Sequence, residues 1–307
     1  MKRDVVASWI SPNVMLVGTN LLEGQTFLLH AIHHARLSRS QLILVHVMSP
    51  LSLNTEILDT APCPALPASV RAVQMKLDEM VEEFRFEGVL CEPIVLVGDP
   101  ARQLALVAKS RAVDRVFLGA RYEPLFARVI EESVAEKVMA TIDIPVCIIG
   151  RRVLPVPACE APLGRVLCAT SFNAGSLQAV KFAASLAAVN NAHLTLLHVL
   201  ETGGMSKHEV ETARIAARRR LCASVPAEAR LGDHSSYLIR QGDPASIILA
   251  EALSQDLVIL GSHRAHMVPR LLRNRVVRRV IEGAQCPVIA INFSPAISCS
   301  AEARSAA

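Results

Sequence analysis

The chain spells out nearly the same series of short apolar strands and turns twice, and this repetition constrains its fold more than any other feature. The first half carries LILVHV (Leu42 to Val47), VGDPA (Val97 to Ala101), RVFLGA (Arg115 to Ala120) and IPVCIIG (Ile144 to Gly150). The second carries LTLLHV (Leu194 to Val199), QGDPA (Gln241 to Ala245), DLVILGS (Asp256 to Ser262) and CPVIAIN (Cys286 to Asn292). His46 recurs at His198, a step of 152 residues, and Gly98 at Gly242, a step of 144. Gly119 recurs at Gly261 and Pro145 at Pro287, each a step of 142. Solenoid repeats recur every ~20–50 residues, so a step this long is a whole domain, duplicated. With 307 residues there is room for two such domains, each burying its own core.

Each half reads as five apolar strands alternating with four amphipathic segments. Strands are expected near 14–18, 42–48, 90–97, 115–119 and 145–150, then near 165–170, 193–200, 236–241, 257–261 and 287–292. Helices are expected near 23–37, 69–86, 100–111 and 130–140, then near 174–189, 206–223, 244–253 and 271–283. Strands apolar at nearly every position belong to parallel sheets covered on both faces. Their alternation with helices gives right-handed βαβ units and an α/β fold. In the GDPA segments the Gly and Asp make the turn and the Pro opens the next helix, with Asp99 and Asp243 as caps. The domains are expected at 1–152 and 164–294, joined by a Pro-rich linker at 153–163 and followed by a disordered tail at 295–307. A Pro-rich insertion, Pro50 to Ala68, stands where the second copy has only ETGG (Glu201 to Gly204).

Composition removes several classes of function. Apolar residues make up 51% of the chain, yet no run approaches the ~20 residues of a membrane span. Lys2, Arg3 and Asp4 precede a mixed segment rather than the apolar core of a signal peptide. The eight cysteines show no CxxC pair and no metal-type spacing, and Cys147 and Cys168 fall inside strands as small hydrophobes; a reducing cytoplasm is expected. His30, His33 and His34 share a helix whose buried stripe reads as Leu28, Ala31, Ile32 and Ala35, which puts these histidines on the wet face. No acid or Cys joins them at a metal-binding spacing, so no metal site is expected. His46 and His198 are read as structural, hydrogen-bonded side chains. No hydrolase elbow, P-loop or zinc-protease motif is present, and no catalytic residue is assigned.

The HV pairs ending the second strands (His46-Val47, His198-Val199), the two GDPA turns, the fourth strands ending in LGA or LGS, and SVAEKVMATIDIPVCII (Ser133 to Ile149) together resemble the universal stress proteins in their tandem form. The resemblance covers about Val14 to Phe293. It implies open five-stranded parallel sheets of order 3-2-1-4-5 with helices on both faces, packed as a pseudo-dimer through the strands near 145–150 and 287–292, in a cytoplasmic protein. Some members bind ATP through a loop G-x2-G-x9-G-[ST] and an Asp ending the first strand; others do not.

Carried over residue by residue, that pattern is eroded in both copies. In the first, Gly119 keeps the first Gly and Ser133 the hydroxyl, but Tyr122 and Glu132 stand at the other glycines and Asn20 at the Asp. In the second, Gly261 is kept, Arg264 and Asn274 replace glycines, Arg275 replaces the hydroxyl and Ser171 the Asp. Glu131 and Glu132 place negative charge at the start of the last helix of the first half, where a carboxylate gains roughly 0.3–1 kcal/mol from the helix dipole. In the second half Arg270, Arg273, Arg275, Arg278 and Arg279 crowd the equivalent helix and oppose its dipole. Three readings of these arginines stay open: a solvated basic face, a phosphate site, or a surface for an acidic partner, with carboxylates of the other half or another subunit as further anions. Aromatics that would stack bases are nearly absent, which argues against nucleic acid.

The expected function is therefore a non-catalytic cytoplasmic stress-response regulator without a cofactor. The alternative is an adenine-nucleotide switch or slow ATPase with ATP in the second domain. Candidate nucleotide positions are Asn20, Val47, Gly119 and Ser133, and Ser171, Val199, Gly261, Ser262, Asn274 and Arg275. A homodimer of chains is a further expectation.

Overall fold

A computed structural model describes residues 5–21, 25–49, 68–120, 133–154, 162–229, 231–263 and 275–293. The chain divides into two compact units, Met1–Ile149 with Leu154–Glu160, and Gly150–Val153 with Ala161–Ala307.

In the first unit a short helix α1 (Val5–Ile10) precedes β1 (Val14–Thr19), α2 (Gln25–Ser38), β2 (Gln41–Met48), α3 (Ala68–Phe86), β3 (Cys91–Val97), α4 (Pro100–Ser110), β4 (Arg115–Gly119), α5 (Val134–Thr141) and β5 (Val146–Ile149). All pairings are parallel, in the order β3-β2-β1-β4-β5, with Val17 opposite Leu44 on one side and Phe117 on the other. The second unit repeats this with β6 (Arg165–Ala169), α6 (Ala174–Asn190), β7 (His193–Leu200), α7 (Lys207–Ser224), β8 (Ser235–Gln241), α8 (Pro244–Ala252), β9 (Leu257–His263), α9 (Arg275–Gly283) and β10 (Val288–Phe293). Its order, β8-β7-β6-β9-β10, is the same when read within the unit. In each, the strand order reverses beside the central strand, at β1/β4 and at β6/β9.

The central strands are apolar throughout because helices cover both faces. Leu16, Val17, Leu42, Leu44, Val116 and Phe117 are fully buried in one unit, as are Val166, Leu167, Leu194, Leu196, Val258 and Ile259 in the other. At ~25 cal/mol per Å² of apolar surface, burial of each such side chain contributes roughly 1.5–3 kcal/mol. Pro100 and Pro244 open their helices, with the carboxylates of Asp99 and Asp243 accepting from the N–H groups of Arg102 and Ser246 at 2.8 and 2.9 Å.

Two features lie beyond the sequence reading. Helix α1 is tied to β4, where buried Arg115 donates from Nη2 to the carbonyl of Trp9 at 2.6 Å. A carboxylate also ties the entry of each central strand to its neighbour. Asp114 Oδ2 accepts from the N–H groups of Asn13 and Val14 at 2.8 and 3.2 Å. Asp256 Oδ2 accepts from those of Gly164 and Arg165 at 3.0 and 2.8 Å.

The histidines of α2 correct the sequence reading. Ala31, Ile32 and Ala35 are buried as expected, but Phe27 and His30 join the stripe and Leu28 is only half-buried. The stripe is wider than expected, and His30 and His34, three and seven residues after Phe27, lie along its edge, with His30 buried and His33 and His34 half-buried. His30 Nε2 lies 2.9 Å from the carbonyl of Leu154. The ring of His34 stands 5.2 Å from Phe117. Burial pushes both imidazoles below their ordinary pKa, that of His34 well below, with the charge of Arg115 adding to the effect there.

Candidate functional site

At the β1/β4 switch of the first unit a cavity of about 390 Å³ opens at the carboxyl ends of the strands, where open α/β sheets place their ligands. It gathers all four candidate residues of the first half: Asn20 after β1, Val47 in β2, Gly119 ending β4 and Ser133 before α5. Thr19, His46 and Leu104 complete the part of the wall used below. Among the described residues, none of those lining it is Lys, Arg, Asp or Glu.

The geometry of this wall follows from two local devices. Thr19 Oγ1 accepts from the N–H of Leu21 at 3.0 Å, holding Leu21 at φ 66°. His46 Nδ1 lies 2.9 Å from the carbonyl of Thr19, and because a carbonyl only accepts, Nδ1 carries the proton. The imidazole is thus oriented as a brace between β2 and the β1 turn. His198 repeats the brace at 2.8 Å from the carbonyl of Thr170, as the sequence reading of both histidines expected.

Ser133 is the N-cap of α5. Its Oγ accepts from the N–H of Glu136 at 3.2 Å, while Glu136 Oε2 accepts from the N–H of Ser133 at 2.9 Å, a complete capping box. Two of the N–H groups that a phosphate would seek at this helix N-terminus, those of Ser133 and Glu136, already face a carboxylate and a serine oxygen. Tyr122, Glu131 and Glu132 lie outside the described residues.

In the second unit the described candidates have other neighbours. Ser171 Oγ accepts from Asn173 Nδ2 at 2.9 Å, beside the N-cap of α6. A Cβ added to Gly261 would fall 2.4 Å from Ser176 Cα and 2.6 Å from the carbonyl carbon of Gly175. The protein's own α6 backbone occupies the approach that this glycine leaves open. Val199 continues β7 beyond His198. Between His198 and the turn after β6 lies the ring of Phe172, 4.4 Å from the imidazole, with the guanidinium of Arg220 4.2 Å above its centre. Asn274, the side chain of Ser262, and Arg264, Arg270 and Arg273 lie outside the described residues.

An open cleft of about 560 Å³ lies between the turn after β7, the Gly242–Pro244 turn and the start of α9, where Pro244 and Arg275 are the counterparts of Pro100 and Ser133 in the first cavity. Of the second-half candidates for nucleotide contact only Arg275 lines it. Two arginines of α9 find carboxylates within their own unit while remaining exposed, a source of anions that the three open readings did not include. Arg278 Nε donates to Glu282 Oε1 at 2.8 Å, and Arg279 Nη1 to Asp243 Oδ1 at 2.8 Å, with Ser246 Oγ 3.2 Å from Nη2. Arg279 and Ser246 together hold the Asp243 carboxyl far below the usual carboxylate range. The sequence shows Asp243 as the cap of the helix after the GDPA turn, but its pairing with Arg279 depends on the packing of α9 against that helix.

Among the described residues no group of three or more His, Cys, Asp or Glu is placed to hold a metal. No described helix is long and apolar enough to cross a membrane.

Comparison with known proteins agrees with this geometry. A solved structure described as a universal stress protein from Archaeoglobus fulgidus DSM 4304 superposes with a TM-score of 0.64 at 18% identity, covering 92% of this chain and 99% of that one. A functionally unknown protein from Pseudomonas aeruginosa PAO1 gives 0.63 at 15% identity, covering 98% and 99%. At these identities the likeness shows the fold. The universal stress protein A homolog 1 of Coxiella burnetii is 27% identical over 139 residues, 41% of this chain and 94% of its own length. The model of the universal stress protein family matches residues 13–150 and again 162–292, and the chain therefore belongs to that family, with two copies of its domain.

Proposed function

We propose that this chain is a non-catalytic regulator of the stress response, acting in the cytoplasm without a nucleotide cofactor. One observation carries the reading: the capping box at α5 places the Glu136 carboxylate where the phosphate donors of an ATP site would be. No cationic side chain among the described residues lines the adjoining cavity to offset it. A carboxylate and a triphosphate at one helix N-terminus repel, and moving a phosphate out of water without a partner costs several kcal/mol. In the second unit the backbone of α6 stands against Gly261. Among the described residues, those of the first crevice supply no cation for a triphosphate.

Titration calorimetry of the full chain with Mg·ATP and Mg·ADP tests this. The expected result is no heat of binding at micromolar ligand; micromolar affinity for either nucleotide overturns the reading. A nucleotide-binding switch is the second reading, and the 390 Å³ cavity that supports it moves its site from the second unit to the first. Under that reading Val47→Trp, which fills the cavity, abolishes binding and Arg275→Glu leaves it unchanged.

A further inference from the structure

Helices α3 and α7 are counterparts, each following the second strand of its unit. Leu77 and Leu221, separated by the same 144 residues as the GDPA glycines, are both fully buried. Their outer faces carry opposite charge. From Asp78 to Glu87 the first unit exposes Asp78, Glu79, Glu82, Glu83 and Glu87 against Arg85 alone. Arg85 pairs with Glu82, Arg36 with Glu87, and Gln74 with Asp78. Glu79 and Glu83 have no ion pair among the described residues. From Arg214 to Arg220 the second unit exposes four arginines and no acid. Arg214 approaches Glu211 at 3.9 Å and Arg220 covers Phe172, while Arg218 and Arg219 have no ion pair among the described residues.

The apolar residues follow the same plan. On α3, Met75 (65% exposed) and Phe86 (89%) share a stripe with Glu79 and Glu83. On α7, Ile215 is 49% exposed and precedes Arg219 by four residues, as Met75 precedes Glu79. Within its own unit α7 buries only Ala217 and Leu221. Equal spacing lets Met75 meet Ile215 while Glu79 meets Arg219. We propose that α3 of one copy docks on α7 of a second copy of this chain, through unpaired glutamates against unpaired arginines around an apolar centre.

A second copy is the occupant because the complement of each face, in sign and in spacing, is carried by the same chain. Exposed ion pairs contribute about 0–1 kcal/mol each and are screened within ~10 Å at 0.1 M salt, so the contact is weak, salt-sensitive and heterologous.

Sedimentation velocity of the full chain across protein concentrations, at low and high salt, reads this directly. Self-association is expected at low salt and is lost as salt rises. Arg218→Glu with Arg219→Glu weakens it about tenfold, the effect of several exposed charge pairs acting together. Glu79→Arg with Glu83→Arg does the same, and a chain carrying all four changes regains wild-type association. Far-UV circular dichroism confirms that each variant is folded. A monomer at low salt, or an oligomer indifferent to both pairs of substitutions, overturns the proposal. Loss with the arginine changes alone, without effect from the glutamate changes, also overturns it and assigns α7 to a different acidic partner.

Discussion

Gly261 carries the sharpest prediction, because its position was read as the relic of a phosphate cradle and the structure gives it another task. A methyl group at residue 261 would lie 2.4, 2.5 and 2.6 Å from Ser176 Cα, Ser176 N and the Gly175 carbonyl carbon. Ordinary carbon contacts sit near ~3.5–4.0 Å, so α6 would have to retreat by about an ångström. It is poorly placed to do so. Ser176 is buried, donates its N–H to Asn173 Oδ1 at 2.8 Å, and its Oγ accepts from Thr170 Oγ1 at 3.0 Å. Behind it Ala179, Val180, Ala183 and Ala184 are fully buried and would lose contact together. Overpacking costs typically ~1–3 kcal/mol, and a backbone obstacle that no rotamer relieves puts Gly261→Ala at about 3 kcal/mol. Urea unfolding followed by far-UV circular dichroism should show the second unit's midpoint lowered by about 1 M or more, at slopes of ~1–3 kcal/mol per M. Gly203→Ala is the control: a Cβ there meets nothing within 4 Å, and φ is not positive. If Gly261→Ala unfolds within about 0.5 kcal/mol of wild type, the packing explanation is wrong and the glycine serves an approaching ligand.

Phe172→Ala removes the stack between His198 and Arg220 and should destabilise the second unit by about 1–2 kcal/mol, measured by the same unfolding curves. Ser133→Ala breaks the capping box of α5 and should lower the first unit's stability by about 1 kcal/mol, while Ser133→Asp keeps it. His30 and His34 have folded-state pKa values lowered by burial, so below pH ~6.5 the unfolded chain takes up protons that the native one refuses. Stability should be flat above neutrality and fall from about pH 6.5 toward pH 5, and His34→Leu should flatten that slope; a midpoint that rises on acidification contradicts the assignment. Among the five described cysteines only Cys222 is exposed, while burial pushes Cys91 and Cys286 up to about 12. Native-state thiol titration should therefore lose one fast equivalent in Cys222→Ser and none in Cys168→Ser.

The strand and helix pattern was legible because parallel strands covered on both faces read as uninterrupted apolar runs, and the Gly-Asp-Pro turns mark where helices begin. Helix α1 was not, since VVASWI is too short to show a helical period and its anchor, Arg115, belongs to β4. The inward histidines escaped because the buried stripe of α2 is wider than the four expected positions: Phe27 extends it past Ala31, and His30 and His34 lie on that added edge. The crevice of the first unit was legible through Asn20, Val47, Gly119 and Ser133, which converge as the strand order requires. What Ser133 and Gly261 do there was not, because a serine at a helix start and a glycine at a strand end look alike whether a ligand or the chain itself takes the space. That Arg279 pairs with Asp243 needed the packing of α8 on α9.

How the two copies can differ at the strand-order switch without loss of the fold follows from where the scaffold keeps its own bonds. Leu21 and Phe172 both hold positive φ, at 66° and 61°, a conformation costing a non-glycine residue about 1 kcal/mol or more. Both are held by the same threonine, through Thr19 Oγ1 and Thr170 Oγ1 at 3.0 Å, and by the same histidine brace on its carbonyl. A cation from the following long helix then closes each turn: Lys76 Nζ donates to the Leu21 carbonyl at 3.3 Å, and Arg220, 144 residues later, covers the Phe172 ring at 4.2 Å. The turn, the brace and the cation are common to both copies, so they are requirements of the fold. The side chain they present is not, and leucine in one copy and phenylalanine in the other leave the crevices differently filled. Selection on a ligand could therefore relax in either copy while every bond that holds the sheet's carboxyl edge stayed in place.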